Sequence, residues 1–396
     1  MCSLSYYWHM ITVKALGGCG EDARNCFYVD DGRYHILLDC GVKREIASVE
    51  TVYPALSRDM AASLDAVLLS HAHEDHSAGL PYLYELGYRG PIYASRPTIA
   101  LARGFMRKWV SYVKDNGGAL PFDEANIDCL DFQDIEKAMN LGIRSGRSAH
   151  MLGSLWFFLE PSRILYTGDL CLDSLLLAHD ELPKCDVLVV DSAYASRKID
   201  QAKQYKALEA SAIKTLERGG KILLPVPVNG RGIDMMLYLR SCGLGLDVQA
   251  SIMDNAQALY RETAWIKPSP LWSELENHKK DSRIIIRGDG MMTSKSAMES
   301  YDALKGSSAN TVVLTGHMAN GTLGEKVLDH KLEDPIEVDE ITIKVHPDCY
   351  DVIKTVQSCE PKAVMLFHSL ESQALCSEIE ALGIKATCTA LGQLIL

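Results

Sequence analysis

The stretch Asp65-Ala66-Val67-Leu68-Leu69-Ser70-His71-Ala72-His73-Glu74-Asp75-His76-Ser77-Ala78-Gly79-Leu80 decides how the chain is read. It opens with a short apolar run, residues 66–69, that reads as a buried strand. It closes on Leu80, Leu83 and Leu86, a spacing that suits a helix. Between the two lie His71, His73, Asp75 and His76, metal-competent side chains packed into six positions. Where a chain leaves a strand, residues two apart aim the same way, so His71 and His73 can grip one ion. Asp75 and His76 are adjacent and point differently, which suits a second ion close by. Imidazole with carboxylate favours zinc, with manganese or iron as alternatives.

Working outward, 396 residues are too many for one ordinary core and predict two domains. A hydrophobic content of 47% with 23% charged residues is that of a globular protein in water. No apolar run reaches transmembrane length and no signal peptide is expected. The 12 cysteines are scattered without a C-x-x-C pair, so neither a zinc ribbon nor a disulfide framework is indicated, and free thiols in that number point to a reducing cytoplasm. A net charge of -12 is unusual for a protein that handles nucleic acid, so its distribution matters. Residues 196–335 carry 19 basic against 17 acidic side chains, the remainder 21 against 35. The near-neutral middle is therefore the better surface for phosphates.

His71-x-His73-x-Asp75-His76 resembles the signature of the metallo-β-lactamase fold, and the rest of the chain narrows the match. Strands are expected over 10–16, 25–30 and 34–39, the last two joined by the hairpin signal Asp30-Asp31-Gly32. Asp39 ends an apolar run, and in this family the matching Asp lies beside the metals and orients a ligand. After a strand over 90–94 and a helix opening at Pro97, His150 stands in Ser148-Ala149-His150-Met151-Leu152-Gly153-Ser154, similar to the family's third motif. Thr167-Gly168-Asp169 follows another apolar run, and Asp169 matches the family's bridging carboxylate. The buried strand 185–190 ends in Asp191-Ser192-Ala193-Tyr194.

That last group resembles motif A of the β-CASP nucleases, the branch that includes the pre-mRNA 3′-end endonuclease and ribonuclease J. Gly230-Arg231, Gly290-Met291-Met292-Thr293-Ser294 and Gly321-Thr322-Leu323-Gly324 resemble further family segments. His346-Pro347-Asp348 resembles motif B, and His368 resembles motif C. Four positions depart from the pattern: Ala193 for Thr, Lys295 for Gly, Asn320 for an acidic residue, and Lys344-Val345 where Ser-Ala normally precedes motif B. With the sequence ending at Leu396, no appended RNA-binding domain is expected.

The resemblance implies an α/β protein: an αββα sandwich of two sheets faced by helices, with an inserted β-CASP α/β domain. Its parts would be residues 1–195, an insert over 196–335, and a returning part over 336–396. Within the insert, strands over 221–225, 248–251, 283–287 and 311–315 alternate with helical stretches such as 200–218, which predicts a parallel sheet. The active site would lie in the cleft between the two. By the same resemblance one zinc takes His71, His73 and His150, the other Asp75, His76 and His368, with Asp169 bridging and manganese or iron as alternatives. The implied activity is two-metal hydrolysis of RNA phosphodiesters, endonucleolytic or 5′-exonucleolytic, in RNA processing or decay. His346, oriented by Asp191, would be the general acid, because a carboxylate partner favours the protonated imidazole. Arg231, Lys295, Ser294, Gly321 and Thr322 would face single-stranded RNA. His368 favours RNA over DNA, since the DNA branch commonly carries Val there. The alternatives are a DNA nuclease of the same family and a small-molecule metallo-hydrolase. No membrane partner is expected, and a homodimer is compatible with the sequence.

Overall fold

The computed structural model describes residues 11–277, 279, 281–316, 318, 321–329 and 331–395. Eighteen strands run through them: β1 Thr12–Gly17, β2 Cys26–Asp30, β3 His35–Leu38, β4 Ala66–Leu68, β5 Ile92–Ala94, β6 Phe132–Asp134, β7 Ile143–Arg147, β8 Leu155–Leu159 and β9 Ile164–Tyr166 come first. β10 Val187–Asp191, β11 Ile222–Val226, β12 Asp247–Val248, β13 Ile284–Gly288, β14 Thr311–Leu314, β15 Glu337–Glu340, β16 Ala363–Phe367, β17 Lys385–Thr387 and β18 Gln393–Ile395 complete the set.

They form three sheets. The first has the order β18-β1-β2-β3-β4-β5-β6, antiparallel up to β3 and parallel beyond it. The second has the order β17-β16-β10-β9-β8-β7, parallel from β17 to β9. Their facing sides share one core, in which Val13, Phe27, Val29, Ile36, Leu38 and Leu68 meet Phe157, Tyr166, Val187, Val189, Met365 and Phe367. The opposite side chains of the same strands, such as Leu37, Val67 and Leu69, pack on the helix Arg96–Asp115 through Met106, Trp109, Val110 and Val113. On the other outer face Leu188, Val190, Val364 and Leu366 pack on helices Cys349–Cys359 and Gln373–Ala381. Strands buried on both faces read as continuous apolar runs, which is why β10 and β16 are uninterrupted hydrophobes. The result is the αββα sandwich.

The third sheet is parallel throughout, in the order β12-β13-β11-β14-β15, and comes wholly from residues 222–340. Two sequence expectations shift here. A strand expected over 248–251 stops at Val248, because the helix Ala250–Arg261 takes the following residues. The boundary expected at Pro335 falls short, because β15 pairs in parallel with β14 as far as Glu340.

The topology positions the site. Asp39 follows β3, His71 follows β4, Asp169 follows β9, Asp191 ends β10 and His368 follows β16. The registers Leu38↔Leu68 and Asp191↔Phe367 bring those parallel strand ends level on one edge. Ligand sites in sheets of this kind form outside the carboxyl ends of the strands.

Candidate metal centre

The side chains at that edge gather into three overlapping groups that share Asp169, one of them Asp191, His346 and His368 with Asp169. His71, His73 and His150 converge with Asp169, and Asp75, His76 and His368 converge with Asp169, each group offering ligand atoms within 4.8 Å of one another. Each half of the quoted stretch thus serves a different group. His73 precedes and caps the short helix Glu74–Ser77, which turns Asp75 and His76 toward the second one. Gly41 lets the chain press against this turn, since a Cβ there would fall 1.6 Å from the Asp75 carbonyl oxygen.

Outward hydrogen bonds set the rings. His76 Nδ1 donates to Asp39 Oδ2 at 2.6 Å, and His150 Nδ1 donates to the Val345 carbonyl at 2.9 Å. Ser70 gives its own hydroxyl proton to Asp39 Oδ2 (2.6 Å), so its oxygen accepts from His71 Nδ1 at 3.1 Å. The other nitrogens face inward. His71 Nε2 lies 3.0 Å from His73 Nδ1, which lies 3.2 Å from His150 Nε2. Ligands on a tetrahedral zinc sit about 3.3 Å apart, given Zn–N near 2.0–2.1 Å. Asp169 divides its oxygens: Oδ2 is 3.5 Å from His71 and 3.4 Å from His150, while Oδ1 is 3.0 Å from His76 and 3.4 Å from His368. Asp75 Oδ2 closes the second group, 3.4 Å from His76 and 3.3 Å from His368.

The electrostatics fit cations. Asp39, Asp169 and Asp191 are no more than 1% exposed, and Asp75 stands beside them. Burial alone raises the Asp75 and Asp169 carboxyls, but His76 and His368 hold both well below the usual carboxylate range. Burial likewise opposes charge on His76 and His368, yet the surrounding carboxylates, Asp169 foremost, push both well above the ordinary histidine value. His71 and His73 are pushed down, chiefly by burial, and His150 falls to about 3 for the same reason. Three histidines kept neutral beside a shared carboxylate are suited to ligation. Among the described residues, Asp169 Oδ1 and His368 Nδ1 are buried and without a hydrogen-bond partner. These donors fit two divalent ions.

His346 joins from the returning chain, with Nδ1 2.8 Å from Asp191 Oδ2. Asp191 also accepts from the backbone N–H groups of Leu170 and Ala193, so its carboxylate is fixed before it meets the imidazole. The His346 ring centre is 4.7 Å from that of His150 and 4.9 Å from that of His368.

The expected substrate contacts fare differently. The Arg231 guanidinium lies over Gly316, and burial lowers it below its ordinary value while Tyr194, whose ring lies 5.9 Å from His346, acts to raise it. Lys295 points outward, its side chain 87% exposed and 3.8 Å from Glu299. The hydroxyls of Ser294 and Thr322 cap the helices Lys295–Asp302 and Leu323–Leu328, and the Gly321 N–H donates to Glu325 Oε2. Those three groups are thus engaged in local structure. Asn320 lies outside the described residues.

Sequence reading passed over three contributors. Asn25 is fully buried, with Nδ2 2.8 Å from His76 Nε2 and 3.2 Å from Asp75 Oδ2. Tyr166 donates its hydroxyl to Asp39 at 2.5 Å. Ser70 bridges Asp39 to His71, and its place directly before the first histidine was the available signal.

Comparison with known proteins agrees with this geometry. Residues 19–212 match the model of the metallo-beta-lactamase superfamily. Transcription termination factor FttA of Methanothermobacter thermautotrophicus is 27% identical over 393 residues, covering 86% of this chain; the chain spans 61% of that relative's length. An RNase J-like protein of Methanocaldococcus jannaschii is 27% identical over 414 residues, covering 92% of this chain and 94% of that protein. Integrator complex subunit 11 of Gallus gallus is 24% identical over 411 residues, with 90% and 68% covered. A crystal structure of a protein of unknown function from Enterococcus faecalis V583 shares the fold at a TM-score of 0.60 and 16% identity, over 98% of this chain and 100% of that one. Residues 19–212 thus carry a metallo-beta-lactamase domain, and the chain as a whole is similar to β-CASP proteins of RNA processing.

Proposed function

We propose that this protein is a metal-dependent ribonuclease that hydrolyses RNA phosphodiester bonds. The observation that carries the reading is the pair of His/Asp groups sharing Asp169, with the His346–Asp191 pair at their rim. The resemblance to an RNase J-like protein across nearly the whole length of both chains supports RNA as the substrate class.

His71, His73 and His150 would hold one ion, and Asp75, His76 and His368 the other, with one oxygen of Asp169 toward each. Bound there, such ions would supply a nucleophilic water and neutralise charge on the phosphate. The remaining work falls to the chain. Asp39 and Ser70 orient His76 and His71, and the Val345 carbonyl orients His150. His346 protonates the oxygen that leaves as the P–O bond breaks, and Asp191 keeps the ring aimed. Arg231 is the basic side chain best suited to substrate phosphates, because its buried Nε has no hydrogen-bond partner among the described residues. Lys295 acts on RNA farther out. Residues 196–335, extended to Glu340, form the domain that faces the metals.

The test is incubation of zinc- or manganese-loaded protein with end-labelled single-stranded RNA and DNA of one sequence. RNA products that vanish with chelator support the reading, and their lengths separate internal from 5′-terminal cleavage. Equal cleavage of DNA would move the protein to the DNA branch. Hydrolysis of neither polymer would overturn the reading.

A further inference from the structure

Lys344 is a departure from the family pattern at motif B, and it is nearly enclosed, its side chain 4% exposed. Its ammonium lies 2.5 Å from Asp173, 2.6 Å from Asp351 and 3.7 Å from Asp348. Each partner belongs to a different part of the surroundings. Asp173 lies four residues beyond Asp169. Asp348 and Asp351 form the capping box of the helix Cys349–Cys359, in which each carboxylate accepts the other's backbone N–H. The Asp348 carboxylate also accepts from the Ile199 N–H at 2.7 Å.

The backbone of Lys344 is held as firmly as its side chain. Its N–H donates to Gln201 Oε1 at 2.9 Å, and its carbonyl accepts from Gln201 Nε2 at 3.1 Å. One residue on, the Val345 N–H donates to the Tyr194 hydroxyl at 3.4 Å, and the next side chain is His346. The contact from Lys344 to Asp348 closes a five-residue turn, and His346 stands at its centre. Both ends of that turn are therefore tied to one buried cation.

Buried ion clusters are a weak source of net stability, because desolvation offsets most of the Coulomb gain; their better-attested use is to fix geometry. Three carboxylates on one ammonium exceed what charge balance needs. They do supply three points that fix it in space.

We propose that Lys344 is the positioning residue for His346, holding the turn that carries the acid so that the imidazole meets Asp191 and the leaving oxygen together. The inference rests on the reading of His346 as general acid. It assigns the role to this chain's own residue rather than to the Ser-Ala pair usual at that place.

The test compares two phosphodiesters on the metal-loaded protein. RNA leaves as an alkoxide that needs a proton, whereas bis(4-nitrophenyl) phosphate releases 4-nitrophenolate, which does not. In Lys344→Met, kcat on RNA should fall about 10²-fold, the usual cost of a misplaced reacting group. KM, metal content and kcat on the aryl diester should hold. Lys344→Arg should restore part of the RNA activity. Asp173→Asn is the milder second variant should the Met protein fail to fold. It keeps the Asp351 contact, and its smaller loss should again be confined to RNA. Equal losses on both substrates, or none on either, would overturn the assignment. A wild-type protein that cleaves the aryl diester but not RNA, or neither, would instead bring down the ribonuclease reading, and this assignment with it.

Discussion

Asp39→Asn tests the wiring of the metal centre with little change in volume. The Asp39 carboxylate accepts four hydrogen bonds in full burial: Oδ1 from the Ser70 N–H at 2.6 Å, and Oδ2 from Ser70 Oγ at 2.6 Å, His76 Nδ1 at 2.6 Å and Tyr166 Oη at 2.5 Å. Its backbone lies at φ 58°, a left-handed conformation that Asn tolerates, so the substitution adds no backbone strain. The Asn oxygen must face the Ser70 N–H, which can do nothing but donate. The Asn amino group then takes the place of Oδ2. The Ser70 and Tyr166 hydroxyls can rotate and accept from it. The imidazole can accept at Nδ1 solely by moving its proton to Nε2, the atom 3.0 Å from Asp169 Oδ1. That proton occupies the lone pair an ion needs. Loss of such an orienting partner costs about 10–100-fold in metal affinity, or about 1.4–2.7 kcal/mol. Exchanging charged for neutral hydrogen bonds should lower fold stability by a further ~1–2 kcal/mol, too little to unfold the chain. Elemental analysis after dialysis against graded chelator would read the result. The variant should drop from two equivalents to one at chelator concentrations that leave the wild type loaded, while the His71–His73–His150 group keeps its ion. Two ions held as tightly as in the wild type would refute the tautomer argument.

Four further outcomes are expected. His346→Ala should retain both metals and lose about 10²–10⁴-fold in turnover of RNA; release of one metal equivalent would show that the ring is a ligand instead. Gly41→Ala should destabilise the protein by about 3 kcal/mol in denaturant titration and weaken metal retention, because the new Cβ meets the Asp75 carbonyl and the His76 N–H; Gly104→Ala, on an exposed helical position with nothing within 4 Å, should stabilise it by ~0.5–1 kcal/mol. Asp234 is 7% exposed, and burial pushes its carboxyl up to about 6. A raised folded-state pKa gives stability below the unfolded value that is lost as pH rises through the folded one, so Asp234→Asn should stabilise by about 3 kcal/mol at pH 7 and by almost nothing near pH 4, read from paired urea melts.

What the sequence made legible follows from where the chemistry sits. Asp39, Asp169, Asp191 and His368 each stand at the end of an apolar run, and a parallel strand buried on both faces cannot hold a charge before its end. Polar residues placed there therefore mark the sheet edge, and the histidine stretch marks it again. β15 carried no such mark. Glu337-Val338-Asp339-Glu340 is half exposed and three-quarters acidic, and its place is set by pairing with β14 rather than by its own pattern. Asn25 and Tyr166 lie 50 and 127 residues from Asp75 and Asp39, the partners they bond, and meet them through the packing of the sheets. The helix Ala250–Arg261 displaced an expected strand end because Val248 and Ile252 read equally well in either period.

Thr322 and Gly321 carry a local signal beside the family resemblance. Thr322-Leu323-Gly324-Glu325 is a Thr-x-x-Glu sequence, the mark of a helix N-terminus. The structure uses it so: Thr322 accepts from the Glu325 N–H at 3.2 Å, and the Glu325 carboxylate takes the Gly321 N–H at 2.8 Å. A backbone donor already bonded to a carboxylate is a poor anion site, because a phosphate would have to displace a charge of its own sign. The same logic favours Arg231, whose Nε is buried without a hydrogen-bond partner among the described residues and whose electrostatic neighbours are Tyr194 and Tyr205 rather than carboxylates. A cation held in that state gains more from an arriving phosphate than Lys295, which is already hydrated and near Glu299. If the site takes RNA as proposed, Arg231 rather than Lys295 is the residue whose charge an arriving phosphate would satisfy.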